Sequence, residues 1–344
     1  MIAYLENGMI QRRWIAWCGL ALLLLLTGCG GCRRSAVENL PVPTDNPGVD
    51  ALAPPPQLDR PGIENLTKAD LEGLARAADR YCQAITQLGG RVSVSVDLSF
   101  TKVTDAETAR LAFPAATQSV NFSETAIGDD TVAGFAKLTG LRSAMLAATK
   151  ITDRSVSHLQ QLPQLTAVDL MRTEVSSEGQ AALMGVLEAR AAANATPRSE
   201  TPANWAFDRA IAEAAKSAAA DMDHYAAAVA KFGGSVDIQL DFSRLPLADA
   251  DVEKIPLPGS VRGIDLSYTK VTDETLKQLR NHAPLERIAL IKTSISDAGV
   301  KELIEMPNLC EANLEGTNIS FPSRMALTKA LTPHLSAKAN RRGR

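Results

Sequence analysis

Four histidines and five cysteines are the side chains best suited to nucleophilic, acid–base or metal chemistry in this chain of 344 residues. Their spacing sets up none of it. His158, His224, His282 and His334 stand apart, none in an HExxH pair and none beside a pair of cysteines, so neither a zinc finger nor a metalloprotease geometry is available. Cys82 falls in a helical stretch and Cys310 opens a strand, and each is expected as a buried free thiol. No phosphate loop, nucleophile elbow or dinucleotide fingerprint occurs. The expectation is therefore no enzyme, no catalytic residue, no metal and no cofactor. What does recur is polar. Asp97, Asn121, Asp169, Asp241, Asp265 and Asn313 form one column, and Ser99, Ser123, Ser243 and Ser267 the next. Such a face of carboxylates and hydroxyls suits a basic or sugar-like partner. The competing reading is that a short polar residue merely belongs between two core positions. Met145 and Ala289 interrupt the column, which favours that second reading, and calcium on the Asp column is weaker still.

The elements that carry these columns repeat. Leu98, Phe122, Leu146 and Leu170 are evenly spaced, and Phe242, Leu266, Leu290 and Leu314 keep the same interval. Just beyond them lie Thr101, Thr125, Thr149 and Thr173, then Leu245, Thr269, Thr293 and Thr317. A third column follows: Val103, Ile127, Ile151 and Val175, then Leu247, Val271, Ile295 and Ile319. Eight units in two sets of four, at one fixed period of this size, predict a solenoid. Val96 and Leu98 alternate with Ser95, Asp97 and Ser99, the pattern of a half-buried strand. Thr104-Asp105 and Thr272-Asp273 follow, where the hydroxyl can cap a helix and the carboxylate favours its positive first turn. A short amphipathic helix comes next. The Thr column is expected to form a structural ladder, its hydroxyls bonding the backbone of the neighbouring unit.

The unit resembles the leucine-rich repeat, in the bacterial variety with T-x-I-[TS]-D after the strand; "LTGLRSAMLAATKITDRSVSHL" and "LERIALIKTSISDAGVKEL" are its clearest copies. The resemblance implies an α/β solenoid with parallel strands on one face and helices on the other, serving as a protein-binding or scaffold module. Unit five departs, with Leu245-Pro246 in place of Thr-Lys, and units four and eight carry Ser177 and Phe321 where the Asp would stand.

A duplication overlies the repeat. The halves align at one constant offset from Tyr81 to Leu187, so that Tyr81 matches Tyr225 and Gly89-Gly90 matches Gly233-Gly234. Each half opens with a helix that is expected to shield the open end of its stack, as terminal units require. The chain thus divides into a signal segment (1–28), a Pro-rich tether (29–64), a first cap helix with four repeats (65–190), a linker (191–204), a second cap helix with four repeats (205–334) and a basic tail (335–344). Two four-repeat arcs are favoured over one unbroken solenoid, although the step from Leu170 to Phe242 equals three periods.

The N-terminus supplies an address. Arg12 and Arg13 precede an apolar run from Trp14 to Leu26, too short to span a bilayer and suited to the core of a secretory signal. Met1 and Met9 serve equally as its start. The run ends in "LTGC", Leu26–Cys29, which resembles the lipobox of bacterial lipoproteins. That resemblance implies cleavage after Gly28, a diacylglyceryl group on Cys29, and attachment to a membrane of the cell envelope through that lipid anchor. The segment after it is rich in proline and reads as an extended tether. Net charge is −3 and aromatics are 4%, so neither a basic face nor a stacking platform for nucleic acid is implied. The expected partner is a protein of the envelope, and the alternative is a passive structural element.

Overall fold

The computed structural model describes residues 66–193 and 205–342; the signal, Cys29, the tether and most of the linker lie outside them. The helix that opens the first half, α1 (Lys68–Gln87), starts at a capping box in which Thr67 and Asp70 each accept from the other's backbone N–H. The first half continues as β1 (Arg91–Asp97), α2 (Asp105–Thr108), β2 (Thr117–Asn121), α3 (Asp129–Gly134), β3 (Ser143–Met145), α4 (Asp153–Gln161), β4 (Ala167–Asp169) and α5 (Ser177–Ala193). The second runs α6 (Arg209–Ala230), β5 (Ser235–Asp241), α7 (Asp249–Val252), β6 (Val261–Asp265), α8 (Asp273–Leu279), β7 (Arg287–Ala289), α9 (Asp297–Ile304), β8 (Glu311–Asn313) and α10 (Phe321–Arg342). The last helix thus continues through Pro333 past residue 334, where the sequence reading ends the folded part.

All eight strands join one sheet in the order β4-β3-β2-β1-β5-β6-β7-β8. Within each half the strands are parallel. At the centre β1 and β5 pair antiparallel along their whole length, from Arg91↔Asp241 to Asp97↔Ser235. The arrangement is neither a solenoid running one way nor a pair of separate stacks: the two sets grow outward from a shared seam. The opening helices accordingly do not shield solvent-facing ends. α1 and α6 make the most extensive contact of any two elements, directly across the seam. Alanines keep the helices close: Ala75 and Ala78 on one, Ala212, Ala215 and Ala218 on the other, all buried. Tyr81 and Tyr225 fill the space between, both 0% exposed. Arg80 reaches Asp221 at 2.9 Å, and the Tyr81 hydroxyl donates to the Pro256 carbonyl at 3.0 Å.

The paired glycines are explained by this junction. Gly233 takes φ +81° at the end of α6, a conformation that costs a glycine little. At Gly234 a Cβ would lie 2.6 Å from the Asp97 carbonyl oxygen and 2.6 Å from a Leu98 methyl of the other half. Gly89 and Gly90 repeat the pattern against Trp205 and Phe242.

Each coil behaves as its periodicity predicts. Every residue of the Leu/Phe column and of the Val/Ile column is buried, and one continuous core runs the length of the sheet. The first coil of each half has only a one-turn helix, α2 or α7, because prolines (Pro114; Pro256 and Pro258) follow and cannot continue it. The halves differ in core filling. Phe113, Phe122 and Phe135 cluster with ring centroids 5.8–6.5 Å apart, where the second half has Leu257, Leu266 and Leu279.

Candidate functional site

The turn after each strand fixes what the exposed face can display. Just beyond each Leu or Phe the backbone enters the left-handed region: Phe100, Glu124, Ala148, Arg172, Arg244, Tyr268 and Lys292 at φ 52–66°, and Gly316 at 71°. A left-handed non-glycine residue is held by its surroundings, and two bonds do the holding. The N–H at this position donates to the next coil, as from Phe100 to Ser123, Glu124 to Ala147 and Tyr268 to Ile291. The following Thr hydroxyl folds back onto the carbonyl at the start of the same turn: Thr101 to Leu98, Thr125 to Phe122, Thr149 to Leu146, Thr173 to Leu170, Thr269 to Leu266, Thr293 to Leu290 and Thr317 to Leu314, all at 2.6–2.8 Å. The Thr column therefore does not bond the neighbouring unit as expected from the sequence. The reversed backbone turns the carbonyl inward, within reach of the hydroxyl of its own coil. In unit five Leu245 has no hydroxyl to offer; its side chain is buried, within reach of Gly89 at the seam.

The link between coils is made instead by the Asp of T-x-I-T-D. Asp129 accepts from the Thr152 N–H at 2.9 Å, the Thr152 hydroxyl at 2.7 Å and the Ser155 hydroxyl at 2.5 Å. Asp249 repeats this with Thr272 (2.8 and 2.8 Å) and Thr275 (2.5 Å). Asp105, Asp153, Asp273 and Asp297 bond the corresponding N–H of the next coil, in Gly128, Ser176, Ser296 and Ser320. Partial burial works against ionisation of Asp129 and Asp249, but the hydroxyl and amide donors outweigh it and hold both carboxyls below the usual range. Ser177 and Phe321 replace the Asp where β4 and β8 end the sheet and no coil follows to be bonded.

The column proposed from the sequence as a binding face sits at the C-terminal end of each strand and is tied into the same turn. Asp97, Asn121, Asp169, Asp241, Asp265 and Asn313 each accept the backbone N–H of the next residue but one, at 2.8–3.1 Å. This is the Asx-turn that short polar side chains make readily. Asp241 also lies 3.7 Å from Arg91 across the seam. Ser99, Ser123, Ser243 and Ser267 occupy the turn rather than the strand. The Ser99 hydroxyl donates to Asp97 at 2.7 Å, and Ser267, buried, accepts from the Ile291 N–H at 3.1 Å.

The outward strand positions one step earlier are Ser95, Ser119, Ser143 and Ala167 in one half and Gln239, Gly263, Arg287 and Glu311 in the other. The alternation of β1 marks Ser95 as outward; the others follow in register. Arg262 pairs with Asp237 (3.7 Å) and Glu286 (3.8 Å) on the second half. Among the described residues no group of three His, Cys, Asp or Glu could hold a metal ion, and no helix is long and apolar enough to cross a membrane. The Cys82 thiol is pushed up to about 12, first by burial and then by the Asp79 carboxylate.

No protein-family model matches the sequence, and no curated protein does. Among solved structures, an internalin (inlF) from Listeria monocytogenes is 12% identical, with a TM-score of 0.23, covering 67% of this chain and 57% of that one. This chain therefore spans little more than half of its length. Internalin C2 (inlC2) of the same organism is 16% identical, with a TM-score of 0.20, covering 76% and 80%. Each coil combines a short parallel strand, a left-handed turn and a helix.

Proposed function

We propose that this chain is a non-enzymatic protein-binding module, engaging a partner through the exposed strand face. One observation carries the reading: eight strands present a single open face across both halves, with the core and the α1/α6 contact kept to the other side. The Asp/Asn column and its serines border that face and shape its turns, while Ser95, Ser119 and Ser143 are its contact positions in the first half. Repeat surfaces of this kind present extended contact areas without catalytic machinery. The lipobox-like Leu26–Cys29 adds a proposed location: Cys29 carries a lipid, and the Pro-rich segment holds the module off an envelope membrane of a bacterium.

Two experiments test this. Affinity capture from detergent-solubilised envelope should recover a partner with the wild-type chain and lose it with Ser119→Arg/Ser143→Arg, both melting as wild type does. Identical recovery by both overturns the face. Mass spectrometry of the mature N-terminus should find an acylated Cys29; an unmodified Cys29, or an uncleaved chain, overturns the anchor. A passive role in spacing the membrane is the second reading, and a partner lost specifically on changing the face counts against it.

A further inference from the structure

Where the two halves meet, the strand face sinks into a depression of about 620 Å³. Ser95, Ser119, Asn121 and Gln239 present hydroxyl and amide groups to it, and Met145 and Phe100 add apolar surface, Phe100 being 65% exposed. The carboxylates that line it are already engaged. Asp97 takes the N–H and the hydroxyl of Ser99, and Asp237 lies 3.7 Å from the Arg262 guanidinium.

Arg287 is the exception. It lines the same depression from β7, and its Nε is buried without a hydrogen-bond partner among the described residues. A buried charged donor left unmatched is destabilising. Its neighbours on the sheet do not supply an acceptor. Gly263, in register on β6, has no side chain, and the Gln239 carboxamide occupies the space where its Cβ would stand. Glu311 is in register on β8, but no ion pair joins it to Arg287. The result, among the described residues, is a guanidinium whose Nε has no hydrogen-bond partner, in a trough whose carboxylates already accept bonds or lie beside a cation.

We propose that this trough takes an acidic peptide segment of the partner, with a side-chain carboxylate seated on Arg287. The inference rests on the strand-face reading above and names its chemistry. A guanidinium is a planar fork matched to a carboxylate. The hydroxyl and amide row can bond an extended peptide backbone, and Met145 with Phe100 accepts an apolar side chain next to the acidic one. The predicted partner is thus acidic, although the turn column taken alone reads as a surface for a basic one.

The test is fluorescence anisotropy on the full chain with a fluorescein-labelled octapeptide of alternating Glu and Leu, and with its Gln–Leu counterpart. The acidic peptide should bind about tenfold more tightly, as expected for one charge-assisted hydrogen-bonded pair. Arg287→Gln should erase that difference, and Arg287→Lys, which keeps charge but loses the fork, should reduce it. Lys277→Gln, on the helical side, should leave it intact. Ser119→Trp should block both peptides. If Ser119→Trp blocks binding but the two peptides bind alike, or Arg287→Gln keeps the preference, the carboxylate site is overturned and the strand face stands. If neither peptide binds, or Ser119→Trp changes nothing, both are overturned.

Discussion

Between ordinary coils the contact is made over and over by the same parts: a short parallel strand pair, an aliphatic layer, an amide donating across the left-handed turn and an Asp reaching forward to the next coil. At the seam the aliphatic layer continues, but the parallel pairing, the turn amide and the forward Asp are replaced. There the strands are longer and antiparallel, two alanine-rich helices pack against each other, and glycines admit side chains and, at Gly234, backbone of the opposite half. A periodic contact can be weakened at one rung and held by its neighbours. The seam exists once, so each of its residues lacks a substitute, and the substitutions that separate the two regions should differ in size accordingly.

The largest effect is expected from Gly234→Val. The added side chain meets the Asp97 carbonyl and Leu98, which are backbone and core; overpacking of this kind costs about 3 kcal/mol. Denaturant unfolding should show that loss, and hydrogen exchange should place the new opening at β1 and β5. Opening confined to β3 or β7 would show that the seam is no different from any other step.

Next is Asp249→Ala, in the ladder. Three donors lose their acceptor, two of them on Thr272 and one on Thr275, for about 2 kcal/mol. This rung also has a pH signature. The folded carboxyl titrates below its ordinary value of 3.8, so its contribution is complete above that range and is lost as pH falls through the depressed folded value. Wild-type stability should therefore drop below about pH 4, and Asp249→Asn should flatten part of that drop. An unchanged acid limb in Asp249→Asn would remove the ladder from the account. Thr149→Val comes third. It deletes only the bond that closes its own turn, at about 1 kcal/mol, with Thr149→Ser costing less.

The gap between what was readable and what was not follows the same division. The regular period marked the buried columns at Leu98 through Leu314, because burial imposes residue type at each coil. The constant offset between the halves matched Tyr81 to Tyr225 for the same reason. The left-handed position left no trace: Phe100, Glu124, Ala148 and Arg172 share a conformation and nothing else, since that conformation is enforced by bonds through the backbone and through the Thr that follows. Only Gly316 hinted at it. The Asp ladder was legible in principle, in the recurrence of Asp129 with Thr152 and Ser155 as Asp249 with Thr272 and Thr275. Its pairing spans two units, however, and is hidden when each is read alone. The direction in which the halves join was not legible. Three periods separate Leu170 from Phe242, yet the sheet reverses there, because β5 is placed by the packing of α6 on α1. The Asp/Asn column is polar and periodic in the sequence, and its turn-forming bonds explain why it is so; Arg287 escaped because it occurs once.

The finest test of the seam is its own asymmetry. Tyr81 and Tyr225 are related by the duplication and are equally buried, but only one is satisfied. The Tyr81 hydroxyl donates to Pro256, while the Tyr225 hydroxyl is buried without a partner among the described residues. Burial raises the titration of both phenols, so each is neutral and must be matched as a neutral donor. Tyr81→Phe removes a made bond and strands the Pro256 carbonyl, for about 1 kcal/mol of destabilisation. Tyr225→Phe removes a group already unmatched and should be neutral or stabilising by up to about 1 kcal/mol. Paired denaturation curves read the difference directly. Equal losses from both would mean that Tyr225 has a partner in solution and that the seam is symmetric in energy as well as in sequence; opposite signs would show that the duplicated halves have already diverged at the contact that holds them together.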